Sequence, residues 1–192
     1  PEGFTLHNYV DLFTDSNFLA SVGRSIAMCI IPIIVTIVIV LLALFVTAIY
    51  FPKLEKYVQI ICMIPYTIQG VILSVSILSL YVGSGSILSN RLVMLMGAYC
   101  IVILPYIYQG IRNGMRAVNM PTLIEAAEML GASKIYAFFR VVVPNILSAI
   151  IVSSLLAVGI IFGDYVLIRN LAGTSAPNMQ IFLYQTMKSD ST

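Results

Sequence analysis

Long apolar runs without a charged side chain dominate the chain, and short polar stretches separate them. Four such runs are present: Ser25 to Pro52, Tyr57 to Asn90, Leu92 to Ile111 and Val141 to Gly163. About 20 apolar residues suffice to cross a bilayer as a helix, whereas a membrane strand alternates polar and apolar residues over about 10 positions. Because the runs are apolar on every face, they predict four membrane-spanning helices.

Composition supports this interpretation. Of the 192 residues, 60% are hydrophobic and 9% are charged, and the mean hydropathy is +1.01. These values lie outside the usual range of soluble domains. We therefore expect an all-α membrane protein, a polytopic helical bundle. The run from Tyr57 to Asn90 is longer than one span needs, so we expect one helix followed by a glycine-serine turn.

The two ends of the chain have a different character. Residues 1–24 carry Asp11, Asp15 and Asn17 and lack the apolar core of a signal peptide, which predicts a soluble loop. Residues 180–192 begin an amphiphilic segment and stop. We expect a single transmembrane domain over residues 1–192, cut from a longer subunit with at least one further span at each end.

Orientation follows from the Lys and Arg residues of the short loops, since cytoplasmic loops carry more of them. One side receives six: Lys53, Lys56, Arg112, Arg116, Lys134 and Arg140. The other side receives four: Arg24, Arg91, Arg169 and Lys188. The count predicts that residues 112–144 are cytoplasmic and that residues 1–24 and 164–180 are extracytoplasmic.

The cytoplasmic stretch contains EAAEMLGASKIYAFFRVVVP at positions 125–144, which predicts two short helices. Thr122 and Glu125 have the spacing of a capping box, and Gly131 suits the left-handed end of a helix. Ser133 can cap a second helix, which Pro144 ends. The stretch has more apolar residues than a solvated loop needs, so part of it should contact either this subunit or another protein.

Seven positions of this stretch follow the pattern Glu-Ala-Ala, three residues, Gly, nine residues, Ile, one residue, Leu-Pro. They are Glu125, Ala126, Ala127, Gly131, Val141, Val143 and Pro144, with valine replacing isoleucine and leucine. The pattern, and the order of loops and spans around it, resembles the permease subunits of binding-protein-dependent ABC importers. The similarity covers nearly the whole chain.

This resemblance implies that the loop at 112–144 docks into a groove of a cytoplasmic ATPase and couples ATP binding to alternating access. It also implies a second permease, identical or related, two ATPase subunits and an extracytoplasmic solute-binding protein. Small side chains at Ala126 and Ala127 would let the helix enter a groove, and Glu125 offers a charge to a basic partner residue. The alternative for Glu125 is the capping box alone, and Gly131 can both end the helix and bend the docked loop.

Motifs for catalysis are missing from the sequence. It contains no G-x-x-x-x-G-K-[ST], so ATP hydrolysis is expected in a partner and this chain is not expected to be an enzyme. His7 has no catalytic pattern around it, and Cys29, Cys62 and Cys100 lie in apolar runs without metal-ligand spacing. We expect no cofactor and no metal. A net charge of +2 gives no support for nucleic-acid binding.

Polar residues in or beside the spans are candidates for a translocation path. Asp164 adjoins the last run, and an ionisable group near membrane depth is a functional hypothesis, although a surface or ion-paired carboxylate is the alternative. Gln69, Gln109 and Asn145 could line a path or form hydrogen bonds between helices. Gly110 and Gly114 form a G-x-x-x-G that permits close helix approach.

The solute is less directly indicated. The segments FTLHNYVDLF and FGDYVLIRNLAG are most similar to permeases of the polyamine and ferric-iron branch, which implies a small polar or cationic solute. Two other classes remain as alternatives. An ion-gradient-driven secondary transporter would show a buried ionisable relay and internal repeats, and a membrane scaffold would need no cytoplasmic helix pair.

Overall fold

The computed structural model describes residues 16–68, 70–81 and 90–172, and these residues fold into helices joined by short turns. The α-helices are α1 (Ser16–Ile49), α2 (Glu55–Met63), α3 (Gly70–Tyr81), α4 (Arg91–Ala117), α5 (Met120–Met129), α6 (Lys134–Ala137), α7 (Val143–Asn145) and α8 (Leu147–Phe162). Tighter 3-10 turns occupy Pro52–Leu54 and Ile64–Thr67, and wider π-helical turns occupy Phe138–Val142 and Ile168–Ala172. The expected all-helical fold class is confirmed.

Two helices in the described ranges are each long and apolar enough to cross a membrane: Leu19–Ile49 and Arg91–Ala117. Two bent pairs, Pro52–Thr67 with Gly70–Leu80 and Lys134–Asn145 with Leu147–Phe162, raise the number of spans to four if each pair is one span. The prediction of one helix after Tyr57 was wrong, because α2 ends at Met63 and α3 begins at Gly70. Pro65 lies in the 3-10 turn between α2 and α3, and its ring cannot donate the hydrogen bond that a continuous helix requires.

The chain divides into two compact units. Among the described residues, the first contains 16–31, 70–81, 90–98 and 162–172, and the second contains 32–68 and 99–161. In the first unit, α3 packs against the π-helical turn Ile168–Ala172. The Asn170 amide donates a hydrogen bond of 2.9 Å to the buried Ser74 hydroxyl, which links these two segments.

The second unit has its core along α4. Side chains that recur every fourth residue are almost fully buried, and they form one face of the helix: Tyr99, Ile103, Ile107, Ile111 and Met115. The helix therefore buries a single apolar stripe. The neighbouring helices add buried side chains to this core: Val40 and Leu44 from α1, and Ile150 and Ala157 from α8. Many large apolar side chains elsewhere on these helices are exposed, as expected where hydrocarbon replaces water.

Helices α4 and α8 approach each other closely along two glycines. A Cβ atom added to Gly110 would lie 2.5 Å from the Ser153 Cβ, and one added to Gly114 would lie 2.6 Å from the Ala149 Cβ. Real side chains do not approach so closely, so these positions accept only glycine in this packing. The G-x-x-x-G of the sequence therefore lies in the seam between two helices of this subunit.

Candidate functional site

The first helix of the loop begins at Met120 in a way that the sequence did not predict. Its N-cap is Asn119, whose φ of 49° is left-handed and whose side chain makes no capping hydrogen bond. Asparagine tolerates this conformation better than most residues. Thr122 lies within the helix rather than before it, so the predicted capping box of Thr122 and Glu125 was wrong.

The end of α5 agrees with the sequence. Gly131 has a φ of +85°, and its N–H donates to the Glu128 carbonyl at 2.9 Å. The Ala132 N–H donates to the Ala127 carbonyl at 3.0 Å, which completes the paired hydrogen bonds of a Schellman motif. The predicted left-handed helix end at Gly131 is confirmed.

A second short helix follows at once. The Ser133 hydroxyl accepts a hydrogen bond of 3.3 Å from the Tyr136 N–H, which confirms the predicted cap of α6. The chain continues through the π-helical turn into α7 and then bends by 65° before α8. Pro144 lies two residues before the residue that separates these helices, Ile146. The loop is thus a helix, a glycine turn and a second helix that leads into a membrane segment.

One face of the loop packs against its own subunit. Ile124, Ala127 and Phe138 are buried, and the Phe138 ring lies 4.9 Å from the Phe45 ring of α1, centroid to centroid. The Phe139 ring completes the cluster, 5.9 Å from the Phe45 ring and 5.2 Å from the Phe138 ring, centroid to centroid. Burial of the Phe45 and Phe138 rings fixes the loop on the end of α1. The apolar content of the loop is therefore partly explained by contacts within the subunit.

The opposite face is apolar and exposed. Met129 and Leu130, directly before Gly131, are each 90% exposed, and Ile135 and Tyr136 are more than half exposed. Isolated exposed apolar residues are ordinary, but here four large ones lie within eight residues of the chain, on either side of one glycine turn, and give the turn an apolar surface. Such a surface on a polar loop is typical of a contact with another protein.

The seven residues of the sequence pattern do not share one surface. Glu125, Ala126, Gly131 and Pro144 are exposed, whereas Val141 and Val143 are half-buried. Ala127 is buried, so it supports the loop from within instead of adding to the exposed helix surface.

Ion pairs connect the loop to the segment after α1. Arg112 Nε and Nη2 donate to Glu55 Oε1 at 2.9 and 2.8 Å, and the Arg112 side chain is 15% exposed. Arg116 Nη2 lies 3.9 Å from the same oxygen. A partly buried arginine with two donated hydrogen bonds holds its carboxylate more firmly than a surface pair does. The sequence predicts for Arg112 only a place on the cytoplasmic side, and its ion pair with Glu55 is seen only in the structure.

A cavity of about 550 Å³ opens beside the seam of α4 and α8. Gln109 and Asn145, two of the predicted path residues, both line it, and so do Asn113 and Ser148. Gln109 Nε2 donates to Met63 Sδ at 3.0 Å, and Asn145 Nδ2 donates to the Val141 carbonyl at 2.8 Å. The sequence analysis missed Asn113 and Ser148. Helical spacing could have found Asn113, which follows Gln109 by four residues in α4, whereas Ser148 lies beyond the bend that separates it from Asn145.

The two other predicted path residues are placed differently. Asp164 is half-buried in the first unit, and its Oδ1 accepts a hydrogen bond of 3.4 Å from the Leu167 N–H. It caps the turn that leads to Ile168–Ala172. Gln69 lies outside the described residues.

Residues 16–68, 70–81 and 90–172 contain no candidate metal-binding site. No group of three His, Cys, Asp or Glu side chains there could hold a metal ion. Cys29, Cys62 and Cys100 are free thiols, and the first two are buried. Buried thiols of this kind act as small apolar side chains.

No curated protein matches the chain. Residues 25–189 match a family described as the binding-protein-dependent transport system inner membrane component. Such systems combine ATPase subunits and a solute-binding protein with a non-catalytic membrane component, which decides against an ion-gradient transporter and a scaffold. With its helices, its loop and this match over most of its length, the chain belongs to the family of inner membrane permease components of ABC importers.

Proposed function

We propose that this chain forms half of a solute pathway and that its cytoplasmic loop at 112–144 docks onto an ATPase subunit. The observation that supports the proposed pathway is the cavity of about 550 Å³, whose lining includes both Gln109 and Asn145. Neutral amides that line a cavity beside a membrane helix can replace the water shell of a polar solute. The second half of the pathway comes from another permease, the same chain or a related one.

The exposed apolar surface around Gly131 supports the coupling role. Met129 and Leu130 are 90% exposed on a loop whose other face is fixed to α1 through Phe138. A loop held on one side and apolar on the other can transmit a displacement of the ATPase to the helices. Since each chain carries one such loop, two ATPase subunits require two permease chains.

The proposed solute is a small polar or cationic species such as a polyamine or ferric iron. The proposal rests on the resemblance of FTLHNYVDLF and FGDYVLIRNLAG to that branch, and on Asp164 as a charge beside a span. The polar side chains that line the cavity of α4 and α8 are all neutral. We therefore assign the attraction of a cation to Asp164. The cavity is assigned the hydrogen bonds to the solute.

The pathway is tested by replacing an amide of the cavity. Asn145→Leu should lower uptake of labelled spermidine by about three- to tenfold, because a hydrogen bond to the solute is lost. Ser154→Ala is the matched control: Ser154 does not line this cavity, its hydroxyl donates to the Ile150 carbonyl of its own helix, and uptake should be unchanged. Recovery of the ATPase with the purified variant shows that coupling is intact. Normal uptake by Asn145→Leu would remove the cavity from the pathway.

Asp164→Asn tests the charge without disturbing the cap, since the asparagine Oδ1 can still accept from the Leu167 N–H. Uptake of spermidine should fall roughly tenfold, as expected for loss of a charged partner, while ATPase recovery stays unchanged. Repeating the assay over a range of salt concentrations should show a weaker salt dependence in the variant. An uptake rate equal to that of the native chain would place Asp164 outside the path.

A further inference from the structure

A second cavity, of about 500 Å³, lies where α1 and α4 end. Its walls combine apolar side chains, among them Leu44 and Met115, with the charged groups of Glu55, Arg112 and Arg116. A cavity with one apolar part and one charged part suits an amphiphilic ligand better than a fully polar one. It is distinct from the cavity that Gln109 and Asn145 line.

The charges of this second cavity are unequal. Two arginines face one glutamate, which leaves one net positive charge among the lining residues. Glu55 is engaged by Arg112 at 2.8 Å, whereas Arg116 lies 3.9 Å from it and its side chain is 63% exposed. Most N–H donors of the Arg116 guanidinium are therefore available to another anion. The planar guanidinium matches the oxygens of a phosphate group.

The position along the helix indicates which anion is available. Arg112 and Arg116 lie near the carboxyl end of α4, a helix long enough to span the membrane, so they reach the level of the lipid headgroups. Phospholipids of the cytoplasmic leaflet carry negative charge and attract basic groups at this depth. The side is the cytoplasmic one in the orientation that the Lys and Arg count predicts.

We propose that this cavity binds the headgroup of an anionic phospholipid, with its phosphate on Arg116 and its acyl chains against the apolar wall at Leu44 and Met115. Glu55 limits the affinity because it occupies Arg112 and repels the phosphate. The inference concerns a different cavity from the solute pathway, so either can fail without the other. The two arginines are thus more than an orientation signal.

The test uses the full-length subunit in its importer complex, purified in a neutral detergent and titrated with fluorescently labelled phosphatidylglycerol. Arg116→Gln should weaken binding about fivefold, as expected for one basic group at the membrane surface. Glu55→Gln should strengthen binding by a similar factor, because it frees Arg112 and removes a negative charge. These opposite effects separate ligand binding from a structural role, since a damaged fold would weaken binding in both variants.

Two control variants and two competing ligands complete the experiment. Arg140→Gln removes an exposed positive charge from the same predicted side without touching the cavity, and it should leave the affinity unchanged. Arg116→Lys keeps the charge but loses the planar guanidinium, so its affinity should lie between those of the native chain and Arg116→Gln. Equal binding of phosphatidylcholine, displacement by inorganic phosphate at similar concentrations, or equal losses in Arg116→Gln and Arg140→Gln would each overturn the proposal.

Discussion

Gly131→Val is expected to abolish transport while the membrane helices stay folded. Gly131 has a φ of +85°, and for a β-branched residue this conformation costs about 1–3 kcal/mol. The valine would therefore shift the turn, break the two hydrogen bonds that end α5 and displace Met129 and Leu130 from the proposed contact with the ATPase. A Cβ atom at this position meets no atom within 4 Å, so overcrowding inside the subunit contributes nothing.

Purification of the full-length subunit from detergent-solubilised membranes measures this effect directly. The native chain should carry both an ATPase and a second permease, and Gly131→Val should lose the ATPase alone. Gly131→Asn is the matched control, because asparagine tolerates positive φ and should retain most of the ATPase and of the uptake. If Gly131→Val kept the ATPase and transported normally, the loop would have no coupling role.

The loop shows which local features a sequence can reveal. Gly131 and Ser133 were found because the left-handed helix end and the serine cap depend on residues a few positions apart. The start of α5 could not be found in the same way. Asn119 adopts its positive φ without a side-chain cap, and Thr122 with Glu125 offered a better pattern at the wrong place. Local propensity allows the helix to begin at more than one residue, and the packing around the helix determines which start is adopted.

Contacts between distant segments account for most of what the sequence did not predict. Of the four predicted spans, two correspond to single helices long and apolar enough to cross a bilayer, because apolar length is itself the requirement, and the other two depend on each bent pair being one span. The ion pair of Glu55 with Arg112 joins residues that are far apart in the chain, and no spacing rule connects them. The cavity of Gln109 and Asn145 likewise exists only because α4 and α8 pack together. Composition therefore predicts the class, and tertiary packing creates the site.

Gly114→Ala is expected to destabilise the second unit by about 1–3 kcal/mol, the usual cost of overpacking. The new methyl group would lie 2.6 Å from the Ala149 Cβ, and neither atom belongs to a flexible side chain that could turn away. The two helices must separate, and the cavity beside their seam, which Gly114 also lines, must change shape. Thermal unfolding of the purified subunit should show a lower midpoint, and spermidine uptake should fall with it.

Gly97→Ala is the matched control, since Gly97 lies in the same helix and a Cβ atom there meets nothing within 4 Å. It should be neutral or slightly stabilising, because alanine favours the helix. Combining Gly114→Ala with Ala149→Gly exchanges the two side chains and should restore much of the lost stability, which a double-mutant cycle would register as coupling between the positions. Equal midpoints for Gly114→Ala and Gly97→Ala would show instead that α4 and α8 do not meet at these residues in the membrane, and the cavity beside the seam would lose its structural basis.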